Sequence, residues 1–244
     1  PISMQDSDYI SYINVHSKNN RMLKAEFHTH VKGDPQDNIS YSAKQLVDKA
    51  AELNYDVLAI TCHNWVYEDQ SIEEYAKNKN IILFRGIERD IENKHTLLYN
   101  ITNDEAQKIF TFTDLKKAKE KNPDIFVIAP HPFMFTKTCL KNKIIKHFKL
   151  FDAWEISFFT LSFFDFNRKT KRLAKKFNKP LVGNSDVHRL KDLGRAYTLI
   201  DAKKDRDEIF KAIKNNKIKV IENPLKLKEF LSIIFNVTKH LFKK

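Results

Sequence analysis

Short apolar runs alternate with amphipathic stretches along most of this chain. The apolar runs are bounded by polar or turn-forming residues, which is typical of buried strands. We therefore predict strands at residues 22–25, 55–61, 81–88, 96–101, 125–129, 151–157, 181–182, 196–200 and 218–220. The stretches between them carry apolar residues at helical spacing, and we predict helices at residues 43–53, 72–78, 104–110, 113–121, 141–148, 165–178 and 205–214. Strands and helices that alternate in this way are typical of parallel βαβ units.

The number of strand and helix units indicates whether the sheet is open or closed. About seven strand and helix units predict a closed α/β barrel rather than an open sheet. The 244 residues contain no internal repeat, Pro-rich linker or low-complexity block, so we expect a single domain. We divide it into a polar lead at 1–21, a barrel at 22–222 and an amphipathic C-terminal helix at 223–244. That helix is expected to pack on or near the barrel, and contact with a membrane surface is the alternative.

The composition indicates a basic globular protein. Hydrophobic residues make up 42% of the chain, and no apolar run reaches the roughly 18 residues that a membrane-spanning helix needs. We expect a cytoplasmic protein, because no export leader opens the sequence and Cys62 and Cys139 lack the spacing of a disulfide framework. The net charge of +12 comes largely from lysines on predicted helices, so it permits nucleic-acid binding without requiring it. Only four glycines are present, which excludes a Gly-rich phosphate loop.

Histidine and carboxylate residues lie close to the carboxyl ends of the predicted strands. In the stretch Glu26-Phe27-His28-Thr29-His30, the alternation of side chains along a strand puts both histidines on one face. The same residue types recur at the ends of later strands, at His63, Glu88, His131, Asp186 and His188. The chemistry of α/β barrels lies at the carboxyl ends of their strands. We therefore expect these side chains to converge on one metal site.

The number of candidate ligands is large enough for more than one ion. The candidates are His28, His30, Asp34, Asp37, His63, Glu88, His95, His131, Asp186 and His188. Because three or four protein ligands suffice for a catalytic zinc ion with an open position, this set could hold two or three divalent ions. A carboxylate such as Glu88 would be a natural bridge between two of them.

These motifs resemble those of the PHP (polymerase and histidinol phosphatase) superfamily. The family pattern runs His-x-His, a loop Asp, Thr-Asp-His, Gly-x-Glu, a downstream His, His-Pro and Gly-(Ser or Asn)-Asp-x-His, and this chain follows its order from His28 to His188. One departure is Cys62, which stands where the family has the Asp of Thr-Asp-His and which we expect to face away from the site. The resemblance implies a distorted (β/α)7 barrel with a trinuclear site for zinc, manganese or iron that hydrolyses phosphoester bonds.

Carried over position by position, the resemblance implies nine metal ligands. They are His28, His30, Asp37, His63, Glu88, His95, His131, Asp186 and His188, with Asp37 favoured over Asp34 as the loop ligand. The expected catalytic set is Glu88 as the bridge, Asp186 as the ligand that completes the first ion's shell, and His188 as the last ligand or a general acid. Candidate substrate contacts, with the first preferred as a phosphate clamp, are Arg195, Arg89, Asn64 and Lys137.

The expected function is that of a metal-dependent phosphoesterase. Its substrate would be a small phosphomonoester or a nucleotide-type phosphodiester, attacked by a hydroxide that the ions generate. One alternative is 3′-5′ exonuclease-type processing of nucleic acid, for which the sequence shows no aromatic-basic stacking motif. Another is a non-catalytic metal-binding scaffold that contacts a membrane or a partner. We expect the loops at 133–140 and 158–166 to decide the substrate, and the oligomeric state stays open.

Overall fold

A computed structural model describes residues 21–231 of the chain. All of the predicted lead at 1–21 except Arg21, and most of the predicted C-terminal helix at 223–244, lie outside these residues. The strands are β1 (Leu23–Glu26), β2 (Val57–Ile60), β3 (Ile82–Ile91), β4 (Lys94–Tyr99), β5 (Phe126–Ala129), β6 (Ala153–Ser157), β7 (Thr160–Leu161), β8 (Phe164–Asp165), β9 (Leu181–Asn184), β10 (Ala196–Ile200) and β11 (Ile218–Glu222). The helices are α1 (Ala43–Glu52), α2 (Gln70–Asn78), α3 (Asn103–Gln107), α4 (Phe112–Lys121), α5 (Asn142–Lys146), α6 (Arg168–Lys176) and α7 (Arg206–Lys214).

Nine of these strands form one sheet that curls into a barrel. Their order is β11-β10-β1-β2-β3-β4-β5-β6-β9. Within this order β4 is antiparallel to β3 and β5, and β10 is antiparallel to β1 and β11, while the remaining seven strands run in one direction. The two reversed strands are what distort the barrel. The predicted distorted (β/α)7 barrel is therefore confirmed.

The two edges of this sheet meet at Gly183 in β9. Its amide donates a hydrogen bond of 2.9 Å to Thr198 Oγ1 in β10. A Cβ at this position would lie 2.8 Å from Val220 Cγ1 and 2.9 Å from the carbonyl oxygen of Tyr197. Since real side chains do not approach so closely, glycine is the residue that lets the edges come together.

An apolar core fills the amino end of the barrel and leaves the carboxyl end for polar residues. Phe27, Phe84 and Phe126 point into this core, and Phe210 of α7 stacks on Phe126 with ring centroids 4.2 Å apart. Because side chains alternate along a strand, Glu88 shares the inner face of β3 with Phe84, four residues earlier. Helix α7 thus closes one end of the barrel, and the inward side chains near the other end line its mouth.

The structure differs from the prediction at residues 158–178. The predicted helix at 165–178 begins only at Arg168, because residues 160–165 form a small hairpin in which β7 pairs with β8. Beyond β11, Leu225 bridges to Leu161 of this hairpin, and the chain is helical from 227 to 231, where the described residues end. None of the described helices is long and apolar enough to cross a membrane.

Candidate metal centre

The predicted ligands meet at the mouth of the barrel. They come from the segments that follow β1, β2, β5 and β9 and from the inner faces of β3 and β4. Neighbouring ring centroids lie 4.3–5.6 Å apart for pairs such as His28 with His131 and His30 with His188. The nine residues that the sequence singled out as ligands therefore lie side by side, as the shared end of parallel strands predicts.

Glu88 occupies the middle of this cluster. Its Oε2 atom lies 3.1 Å from His28 Nε2, 3.1 Å from His63 Nε2 and 3.4 Å from His30 Nε2. Its Oε1 atom lies 2.7 Å from His95 Nδ1 and 3.3 Å from His131 Nε2. Each carboxylate oxygen thus faces a different group of imidazoles, so Glu88 could offer one oxygen to each of two ions.

A second carboxylate, Asp186, faces the same imidazoles from the solvent side. Its Oδ1 atom lies 3.4 Å from the Nε2 atoms of both His28 and His30, and 3.3 Å from His188 Nδ1. His188 Nε2 in turn lies 2.9 Å from Asp37 Oδ2. The side chain of His188 is 38% exposed, whereas those of the other five imidazoles are at most 12% exposed. The centre is therefore open to solvent on the side of His188 and Asp37.

The loop after β1 uses its two aspartates in different ways. Asp34 Oδ2 lies 2.8 Å from His30 Nδ1 and accepts a 2.9 Å hydrogen bond from the amide of His63, and Oδ1 lies 3.0 Å from His63 Nδ1. Asp34 is thus a buried residue that orients two histidines and leaves their Nε2 atoms directed at Glu88. Asp37 is 43% exposed and contacts His188. The geometry gives both residues a place at the site, and the choice of Asp37 as the loop ligand stays a prediction.

Two buried carboxylates at the site were missed by the sequence analysis. Glu155 in β6 lies 2.9 Å from His28 Nδ1 through Oε2, and the same atom accepts from Asn184 Nδ2 at 3.0 Å. Its Oε1 atom accepts from the amide of His131 at 3.1 Å. Glu26 accepts from the amides of His28 and Ser185. The signal that could have found Glu155 is a single charge inside the apolar strand Trp154-Glu155-Ile156, since such a buried charge needs partners.

Both cysteines of the chain lie near histidines of the site. Cys62 packs in an apolar cluster with residues such as Val31, and burial raises the pKa of its thiol to about 12. The side chain is therefore a neutral group that packs with apolar residues and also neighbours Asp34. Cys139 Sγ lies 3.3 Å from His131 Nδ1. That contact leaves the other ring nitrogen of His131 directed at Glu88.

The charges of the cluster shift one another's pKa values. Burial disfavours the charged form of Glu88, but the neighbouring imidazoles, His95 and His28 first, outweigh burial and hold the pKa of the carboxyl well below its usual range. Burial likewise lowers the pKa of His28, but Asp186 and Glu88 outweigh it, so the pKa is raised well above the ordinary value. The pKa of His63 rises to about 10, because its bonds to Asp34 and Glu88 outweigh burial.

The ligand atoms fit the requirements of divalent ions. His30 Nε2, both ring nitrogens of His95 and Asp186 Oδ1 are buried and, although carboxylates or imidazoles lie close to them, have no partner at a hydrogen-bonding angle among the described residues. Such orphaned atoms are rare in proteins and call for an explanation. Ligands about 2.1 Å from one tetrahedral ion lie about 3.4 Å from each other, and the separations of His28, His30 and Asp186 agree with that spacing. The histidine and carboxylate donors suit zinc, manganese or iron.

Metal binding at this centre is expected to release protons at neutral pH. His28, His131 and His188, whose pKa is raised well above the ordinary 6.5, and His63, whose pKa is about 10, carry protons at pH 7, and an ion binds only the neutral form. Affinity should therefore rise with pH through this window and fall as the solution is acidified. Calorimetric zinc titrations in HEPES and in Tris would measure the effect, since the heats should differ by the number of protons times the difference in buffer ionisation enthalpy. Equal heats in both buffers would show that the imidazoles are already neutral.

Unlike the predicted ligands, the four predicted substrate contacts do not share one environment. Arg89 donates from a terminal guanidinium nitrogen to Asn64 Oδ1 at 2.7 Å, and Asn64 Nδ2 donates to Asp90 Oδ2 at 2.7 Å. These two residues are engaged with each other and tie the loop after β2 to β3. Arg195 is ion-paired with Glu229, and Lys137 is exposed on the loop that follows His131.

With the site described, the chain can be compared with known proteins. A family model described as PHP-associated matches residues 164–218, and no curated protein matches the sequence. The structure of PsfC from Pseudomonas syringae PB-5123 is similar with a TM-score of 0.64 and 17% identity, over 91% of this chain and 100% of that one. The structure of the lesion-specific endonuclease PfuEndoQ from Pyrococcus furiosus is similar with a TM-score of 0.56 and 16% identity, over 82% of this chain and 58% of that one.

A third similar structure is that of a protein from Bifidobacterium adolescentis ATCC 15703 assigned as a metal-dependent phosphoesterase. It gives a TM-score of 0.51 and 13% identity, over 86% of this chain and 100% of that one. At these identities the likeness concerns the fold. The barrel, the match to the PHP-associated model and the histidine-carboxylate cluster agree with the resemblance to the PHP superfamily. The resemblance drawn from the sequence motifs is thereby confirmed.

Proposed function

We propose that this protein is a metal-dependent phosphoesterase. The observation that carries the proposal is the position of Glu88, whose two oxygens face separate groups of imidazoles, so that the site offers room for at least two ions. When bound, such ions supply Lewis acidity towards a phosphoryl oxygen and acidify a water molecule. We propose that His28, His30, His63, Glu88, His95, His131 and Asp186 hold them, with Asp37 and His188 on the open side.

Other residues of the chain orient the metal ligands and form the polar environment of the site. Glu155 and Asp34 fix the rings of His28, His30 and His63 by accepting at their Nδ1 atoms, which keeps the Nε2 atoms aimed at the centre. The buried carboxylates and imidazoles form a preorganised environment, so charge that develops on the phosphoryl group meets fixed groups instead of mobile water. The substrate reaches this environment from the open side.

His188 is the residue best placed to handle the proton of the leaving group. Its Nδ1 lies 3.0 Å from the carbonyl oxygen of Asp186, which fixes the ring, and its Nε2 faces Asp37 on the solvent side. Burial lowers the pKa of His188, but Asp186 and Asp37 outweigh burial and raise it, which favours the protonated form of the ring. Lys137 is the proposed phosphate contact, since Arg89 and Asn64 are engaged with each other and Arg195 is paired with Glu229.

The test combines metal content with activity. Protein purified without chelator is expected to contain two or three ions of zinc, manganese or iron per chain by mass spectrometry. It should hydrolyse p-nitrophenyl phosphate or bis(p-nitrophenyl) phosphate and lose that activity with EDTA. A full metal complement without hydrolysis of either ester would favour the non-catalytic scaffold. Fewer than one ion per chain after reconstitution would show that the histidines are structural.

A further inference from the structure

A cluster of exposed phenylalanines lies beside the metal centre. Phe135, Phe163 and Phe164 are 64%, 73% and 55% exposed, and with Arg168 and Arg172 they line a cavity of about 650 Å³. We call this set of five residues the aromatic platform. It is built from the loop after β5, the hairpin of β7 and β8, and the start of α6, segments that are separate in the sequence.

Packing explains these phenylalanines only in part, because Phe135 and Phe164 each touch Phe166, with ring centroids 5.4 and 4.6 Å apart, and still remain more than half exposed. Phe163 occupies the two-residue turn of the hairpin, Ser162-Phe163, where turn chemistry favours glycine, asparagine or aspartate. Phe166 is half-buried, lines the same cavity and packs against Phe230 with ring centroids 5.3 Å apart, so it supports the exposed rings from below. A phenylalanine at a hairpin tip leaves a large apolar surface in water, and such surfaces mark interaction sites.

The cations of the platform have no partner within the described residues. The ion pairs of α6 are made by Lys171, which contacts Asp165 and Glu222, while Arg168 and Arg172 are exposed and have no carboxylate partner in residues 21–231. Lys169 lies over the ring of Phe133, 4.4 Å from its centroid. Unpaired guanidinium groups beside exposed aromatic rings provide both phosphate contacts and stacking surfaces.

The position of the platform connects it with the centre. The loop that carries Phe135 begins with His131, and the hairpin that carries Phe163 follows β6, which carries Glu155. Both segments thus leave the mouth of the barrel next to residues of the metal cluster.

We propose that the aromatic platform binds single-stranded nucleic acid. Bases would stack on Phe135, Phe163 and Phe164, while Arg168 and Arg172 pair with the phosphates. Exposed rings and free cations lining one cavity match a ligand that alternates planar bases with negative charges, and the net charge of +12 favours such a polyanion. This inference rests on the proposed function, because it makes a strand with phosphodiester bonds the substrate class of the adjacent centre.

The test is the affinity of the full chain for a fluorescein-labelled phosphorothioate oligothymidine of about ten nucleotides, measured by anisotropy. The sulfur-substituted linkages slow hydrolysis, so the assay reports binding. The double variant Phe163→Ala, Phe164→Ala is expected to bind at least about fivefold more weakly, because each stacked base contributes to affinity. Phe110→Ala, which removes a ring that is 63% exposed and outside the platform, should bind as the wild type does.

The cations are tested by the salt dependence of the same binding. Arg168→Gln, Arg172→Gln should flatten the slope of log K against log salt by about 1.4, since each phosphate of a single strand that a cation neutralises contributes about 0.7 to this slope. Lys175→Gln, Lys176→Gln on the same helix is the matched control, because neither lysine lines the cavity. It should change the slope much less.

The outcomes separate this proposal from the proposed function. Absence of oligonucleotide binding by a chain that hydrolyses phosphoesters would overturn the platform alone. Binding that is lost in the phenylalanine variant, by a chain that hydrolyses no phosphoester, would support the platform and contradict the phosphoesterase. Flotation with phosphatidylserine and phosphatidylcholine vesicles is the second arm. Vesicle binding that depends on Phe163 and Phe164, with no oligonucleotide binding, would overturn the proposal and assign the platform to a membrane surface.

Discussion

Glu88→Gln is expected to empty the centre of at least one ion and to slow phosphoester hydrolysis by roughly 100- to 1,000-fold. The substitution keeps the size of the side chain but removes the negative charge that lies 3.1 Å from His28 Nε2 and 2.7 Å from His95 Nδ1. An amide also has one oxygen instead of two, so it cannot serve both groups of imidazoles. Metal content by mass spectrometry and the rate on bis(p-nitrophenyl) phosphate measure the two effects.

The matched control for this substitution is Glu92→Gln. Glu92 lies just beyond β3 and pairs with Lys143. The substitution Glu92→Gln therefore removes the same charge as Glu88→Gln, but away from the cluster. It should leave the metal content and the rate unchanged. If Glu88→Gln retained the wild-type ions and rate, Glu88 would not be the bridge and the two-ion basis of the proposed function would be wrong.

Glu155→Gln is expected to weaken metal binding by about 10- to 100-fold, although Glu155 faces no ion in the proposal. Glu155 accepts from three donors, with His28 and Asn184 on one oxygen and the amide of His131 on the other. A glutamine must turn its NH₂ group towards one side or the other, so at least one buried donor loses its acceptor whichever way the amide is placed. A competition titration with a chelator of known affinity measures the metal affinity. A loss of affinity is the expected result if Glu155 holds His28 in position.

A structural effect of Glu155→Gln has to be separated from this positioning effect. An unsatisfied buried donor costs about 1–3 kcal/mol of stability by itself, which urea unfolding of the metal-free chain would show. Asp152→Asn is the control, because Asp152 accepts from Lys119 and from the amide of Val127 near the opposite end of β6. It should lower stability without changing metal affinity. Equal losses of metal affinity in both variants would mean that Glu155 acts only through the fold.

The position of the site followed from the order of residues along the chain. His28, His63, Glu88, His131 and Asp186 stand near strand ends, and parallel strands of a barrel bring those ends to one mouth, so their convergence was predictable. The same local patterns gave the bounds of most strands and helices to within a few residues. The start of the helix predicted at 165–178 is wrong, because the pairing of β7 with β8 holds Asp165 in a strand against its local helical preference.

The remaining features depend on contacts between residues far apart in sequence. Glu155 reaches His28 across 127 positions, and no pattern around either residue announces the pair. The separate tasks of Asp34 and Asp37 depend on where the loop places them against His63 and His188. The sequence also showed no aromatic-basic motif, since Phe135, Phe163 and Arg172 become neighbours only when two loops and a helix pack together.

The sequence by itself determined the barrel and the chemical character of its mouth, because hydrophobic periodicity and residues at strand ends are local properties of a chain. Only the tertiary structure decided which carboxylate orients which imidazole, which aspartate stays open to solvent, and that exposed rings adjoin the centre. The physical reason is that hydrogen bonds of about 3 Å and shared cavities depend on how distant segments pack together. The energy of that packing depends on all of these segments at once, so no single segment predicts it.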